Sequence, residues 1–110
     1  MTAMDGTYAD ELARRLLLDH PAADVHRESR GRVTITWAEQ GQLEPLVLRT
    51  TETDLRTAVD ALGRDCRDAL WPTSSEQDAG FNLLLVHLDE TIATRQIHGP
   101  LVITGRGLRT

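Results

Sequence analysis

A single α+β domain is the fold class this sequence predicts: a small antiparallel sheet of three to four strands packed against two or three helices. Three observations lead there. The chain has 110 residues, one domain's length, and can bury enough surface to hold a core without staples. Strand-like alternation is concentrated between residues 24 and 50, while helical periodicity occupies the stretches before and after it. Strands gathered together, with helices following, argue against the alternating pattern of a parallel βαβ fold. The predicted order is α-β-β-(β)-α-α-β over residues 1–110, with short flexible ends at about 1–6 and 105–110.

The first helix runs from about Tyr8 to Asp19. Thr7 can cap it, and Tyr8, Leu12 and Leu16 with Ala9 and Ala13 form its apolar stripe. His20-Pro21 ends it, because a residue before proline is pushed out of the α region. Asp24 to Glu28 reads as a weak strand and Ser29-Arg30-Gly31 as a turn. Val33, Ile35 and Trp37 then alternate with Arg32, Thr34 and Thr36, the pattern of a strand with one wet face. A second turn at Glu39 to Gln42 leads to a returning strand, Leu43 to Thr50, with Pro45 near its start or on an edge.

Thr51, or else Thr53, opens a second helix whose stripe is Leu55, Val59, Leu62, Cys66 and Ala69 or Leu70. Gly63 weakens its middle by about 1 kcal/mol relative to alanine, and Trp71-Pro72 ends it. Ser75 with Asp78 starts a third helix, reaching about Arg95, whose stripe is Phe81, Leu84, Leu85, Leu88 and Ile92. Leu62 and Leu85, central on their stripes, are expected in the main core. Leu83 and Val86 lie off the third helix's stripe, so that helix is expected either to be central in the monomer or to meet a second copy. Gly99-Pro100 introduces a short strand, Leu101 to Thr104, and the following Gly105-Arg106-Gly107 reads as a frayed end.

Composition excludes several chemistries. All 12 basic residues are arginine, so a Schiff-base amine, a P-loop lysine and a Ser-x-x-Lys pair are impossible. The single cysteine, Cys66, precludes an internal disulfide and any multi-cysteine metal centre. A lone thiol suits a reducing compartment, and a cytoplasmic protein is expected. No apolar run approaches the ~18 residues of a membrane span, and Met1 to Tyr8 has no signal-peptide pattern. A net charge of −5 with four aromatics, Tyr8, Trp37, Trp71 and Phe81, argues against general nucleic-acid binding and against anionic membranes.

No motif rises to a catalytic or metal assignment. His87 with Asp89 and Glu90 resembles a fragment of a helical metal site, but no second ligand set accompanies it, and a polar helix flank is the simpler reading. His20, His26 and His98 are scattered along the chain. Cys66 on an apolar stripe behaves as a small hydrophobe. Ser29, Ser74 and Ser75 lack a nucleophile-elbow context, and Ser75 is better explained as a cap. Arg27, Arg30 and Arg32 form a local basic concentration diluted by Glu28. Trp71, at the loop between two helices, either closes the core or anchors an interface.

The expected function is therefore binding without catalysis: a protein-interaction module or homodimer of accessory type, with Trp71, Leu83 and Val86 as candidate interface positions. No cofactor is expected. The competing expectation is a small-ligand domain with a pocket between sheet and helices.

Overall fold

The computed structural model describes residues 7–38, 44–65, 75–94 and 99–109. Helix α1 spans Tyr8–Asp19, strand β1 Asp24–Arg27, β2 Arg32–Trp37 and β3 Leu46–Thr51. Helices α2 (Glu52–Asp65) and α3 (Glu76–Ala93) follow, then β4 (Leu101–Thr104) and β5 (Gly107–Arg109). Each helix starts where a hydroxyl can catch a free N–H. Thr7 Oγ1 accepts from Asp10 N, Thr51 Oγ1 from Asp54 N and Ser75 Oγ from Asp78 N, all at 3.0 Å. These are the side-chain caps that stop orphaned donors at a helix N-terminus from going unpaired. Between β1 and β2 the chain reverses through a 3-10 turn, Ser29–Gly31, closed by Glu28 N–H donating to Arg32 O at 2.8 Å. Arg30 and Gly31 both take positive φ there, 64° and 71°, a conformation easy for the glycine and costly for the arginine.

The sheet has five strands in the order β1-β2-β3-β4-β5, one or two more than expected. It is also mixed. β1–β2, β2–β3 and β4–β5 are antiparallel, whereas β3 and β4 run parallel, with Leu48 opposite Leu101. Two helices separate β3 from β4, and a crossover of that length permits a parallel partner where a hairpin does not. Residues 105–109, read from sequence as the start of a frayed end, form a turn and a short strand. Gly105 and Arg106 form a hairpin turn, Thr104 Oγ1 accepts Arg106 N–H at 3.2 Å, and Gly107 takes φ +111° as β5 begins. Leu108, opposite Ile103, then packs against the core.

Val33, Ile35 and Trp37 of β2, Leu46 and Leu48 of β3, and Leu101 and Ile103 of β4 all point to one side, where they are buried. Phe81, Leu12, Leu55, Leu84 and Val59 fill the space above them from the helices and are almost wholly inaccessible. Thr50 lies among these groups because its Oγ1 donates to Ile103 O at 3.0 Å, satisfying a buried hydroxyl across the parallel pair.

The helices are rotated slightly from the expected phase. Leu62 and Leu85 are half-buried at the core's rim, while Ala58 and Gly63 of α2 and Gly80 and Leu84 of α3 face inward. Close approach explains the rotation. A Cβ on Gly80 would stand 2.1 Å from Val59 O, and one on Gly63 would stand 2.2 Å from Glu76 O. Each helix backbone therefore rests on the other at a glycine. Nor is α3 enclosed within the monomer, for Val86 is 47% exposed.

Helix α1 is tied to α2 by side chains. Glu52 accepts the N–H groups of Tyr8 and Ala9 at 2.9 and 2.8 Å. The Tyr8 hydroxyl donates to Asp60 at 2.7 Å, and burial together with that carboxylate raises the phenol's pKa. Arg56 lies 5.3 Å from the Tyr8 ring centroid. Toward α3, Arg15 reaches Asn82 and Asp78, each at 2.9 Å, and Arg27 of β1 pairs with Asp10.

Candidate binding face on the open side of the sheet

Strand alternation that sends leucine and isoleucine inward must send the intervening residues outward. On the outward side lie His26 of β1, Arg32 and Thr34 of β2, Arg49 of β3, Val102 of β4 and Arg109 of β5. No described helix covers them; α2 packs on β3, β4 and β5 from the other side. The register makes five of these residues a single row. His26 stands opposite Thr34, Thr34 opposite Arg49, Arg49 opposite Val102, and Val102 opposite Arg109. Every second strand thus presents a basic side chain, and His26, Arg49 and Arg109 are all exposed.

Adjacent strands lie about 4.8 Å apart, so Arg49 and Arg109 are anchored roughly 10 Å from each other. Arg32 sits on the same side, opposite Thr51. Arg32, Arg49 and Arg109 have no ion-pair partner among the described residues. Arg14, Arg15, Arg27 and Arg56, around the helical layer, all meet carboxylates. An open groove of about 430 Å³ borders the β1 end of the row, lined in part by His26, Arg32, Thr34 and Arg49. Glu28 also lines it, and Asp24 lies one row away opposite Thr36. The positive centre of the face therefore falls toward β3 and β5. Guanidinium groups there, without ion-pair partners among the described residues, can fork onto carboxylates or phosphates.

Of the residues singled out from sequence, His26 and Arg32 lie on this face and others lie on α3. Leu83 is half-buried and Val86 exposed on the outer side of α3. Trp71, Cys66 and His98 lie outside the described residues. His87 is half-buried, its carbonyl accepting from Thr91 Oγ1 at 2.8 Å, and Asp89 and Glu90 are exposed. Among the described residues no three His, Cys, Asp or Glu side chains converge. The ring of His20 stacks on Trp37 at 5.3 Å. The basic concentration at Arg27 to Arg32 is divided by the strands, Arg27 turning to Asp10 and Arg32 to the open face. The groove lined by His26, Arg32 and Arg49 lies on the side of the sheet away from the helices.

Sequence reasoning missed the row because its basic members, His26, Arg49 and Arg109, are far apart in the chain and only strand pairing unites them. A partial signal was present: Arg32, Thr34 and Thr36 alternate with buried residues, as does Arg49 between Leu48 and Thr50. No helix among the described residues is long and apolar enough to cross a membrane. No protein-family model, curated protein or solved structure matches the chain.

Proposed function

We propose that this chain is a non-catalytic cytoplasmic interaction module whose docking face is the open side of the sheet. The observation that carries the reading is the row in which exposed Arg49 and Arg109, with no ion-pair partner among the described residues, stand on the side of the sheet away from α2. Arginines without ion-pair partners among the described residues, in a chain of net charge −5, offer complementarity to an acidic partner.

Site-specific photocrosslinking in cells tests this reading. A photoreactive phenylalanine analogue at Thr36, on the open face, is expected to give a discrete protein adduct that Arg49→Glu removes. The same analogue at Glu90, on α3, is expected to give none. Adducts formed only from Glu90, or from Thr36 regardless of Arg49, contradict the reading.

A second reading, self-association as a two-fold dimer, is favoured by exposed Val86 beside half-buried Leu83 on α3. Two-fold pairing sets one such patch against itself. Val86→Glu is then expected to convert a dimer to a folded monomer by sedimentation. A wild-type particle of ~12 kDa at high concentration excludes the dimer.

A further inference from the structure

We infer that the open sheet face recognises an extended acidic peptide segment carrying a carboxylate at every third residue, held in a polyproline II conformation across the strands. This rests on the reading of that face as the docking surface, and it names the ligand. The argument is one of spacing. His26, Arg49 and Arg109 occupy β1, β3 and β5 in one register row, so the two guanidinium groups are anchored about 10 Å apart, with a histidine hydrogen-bonding group the same step further on. A polyproline II helix has three residues per turn and rises about 3.1 Å per residue, so positions i and i+3 share a face about 9.3 Å apart. The two repeats match within the reach of an arginine side chain. A β-strand ligand does not match, because residues three apart along it point to opposite faces.

The intervening positions suit the same ligand. Thr34 and Val102 stand between these three side chains, both half-buried, and offer a low surface over which a spacer residue can lie. Single-stranded nucleic acid is disfavoured because the described residues of this face include no aromatic stacking platform. Trp37 and Phe81 are 3% and 0% exposed on the other side of the sheet, and no aromatic stands in the row. The polyproline II conformation also lowers the ordering entropy of binding, because the free peptide already populates it.

The test uses the whole chain and three fluorescein-labelled probes. One is a peptide of four Glu-Pro-Pro repeats. The second has the same composition with its glutamates contiguous, and the third is a twelve-residue oligothymidylate. The repeat peptide is expected to bind at least about tenfold more tightly than either control, with affinity falling as salt rises. Arg49→Ala and Arg109→Ala are each expected to weaken it about tenfold, one charged contact's worth, with unchanged circular dichroism. Arg49→Lys should retain part of the affinity, and Arg14→Ala on α1 should retain all of it.

Equal binding of the two peptides, tighter binding of the oligonucleotide, or indifference to both alanine substitutions overturns the inference. If the Thr36 adduct still forms and is still lost in Arg49→Glu, the docking face stands and only the ligand assignment fails.

Discussion

The carboxylate of Glu52 accepts the backbone N–H of Ala9 at 2.8 Å, with that of Tyr8 at 2.9 Å, so the residue that begins α2 also closes the start of α1. Thr7 satisfies the next donor, Asp10 N. The first three N–H groups of α1 are thus all paired, two of them by a residue forty-odd positions away. A negative charge there also opposes the positive end of the helix dipole.

Glu52→Ala is expected to cost about 2–3 kcal/mol in urea denaturation, the scale of charge-assisted hydrogen bonds lost from a half-buried site. Glu52→Gln keeps an acceptor and should cost roughly half as much. A loss below about 0.5 kcal/mol for the alanine variant would show that water replaces the carboxylate freely.

Replacing a helical glycine with alanine ordinarily stabilises by about 1 kcal/mol. At Gly80 the sign is expected to reverse, because the new Cβ would lie 2.1 Å from the Val59 carbonyl oxygen, a backbone atom that cannot swing aside. Gly80→Ala should destabilise by about 2 kcal/mol or more as α2 and α3 are forced apart. Gly63→Ala, meeting Glu76 O at 2.2 Å, should behave alike. Stabilisation of either variant in thermal melts would contradict the packing described.

Glu11 supplies a pH signature. Hydrogen bonds from Arg14 first, and from Arg15, hold its pKa down at about 2 against an ordinary 4.5. Because the folded state releases this proton more readily than the unfolded chain, the contribution is complete above about pH 4.5. It is lost as pH falls toward 2. Arg14 is well exposed, so solvent screening keeps the effect to at most about 1 kcal/mol. Glu11→Gln should flatten the stability profile between pH 4.5 and 2; an unchanged profile would remove Glu11 from the account.

Leu84 and Val86 are two residues apart and should differ sharply. Leu84 is 1% exposed and Val86 47%. Leu84→Ala is expected to cost about 2–5 kcal/mol, whereas Val86→Glu should stay within about 0.5 kcal/mol for the folded monomer. Comparable losses at both sites would mean that the outer side of α3 is covered.

Local chemistry made much of the fold legible. Thr7, Thr51 and Ser75 mark three helix starts because capping needs only a hydroxyl and an N–H three residues on. The alternation of β2 is equally local. What escaped depends on distant partners. β5 has one apolar residue, Leu108, and its pairing with β4 cannot be read from three residues. The inward turn of Ala58 and Gly63 in place of Leu62 follows from the glycine contact with α3, which periodicity alone does not contain. The same holds for the binding face, assembled from four strands' worth of isolated basic residues.

Amide-resolved NMR of the whole chain, titrated with the four-repeat Glu-Pro-Pro peptide, tests the central claim most directly. The account predicts shifts that saturate at Thr34, Arg49, Val102 and Arg109, with little change along Leu83 to Val86 of α3. Shifts concentrated on α1 and α3, with the open face of the sheet unperturbed, would contradict it.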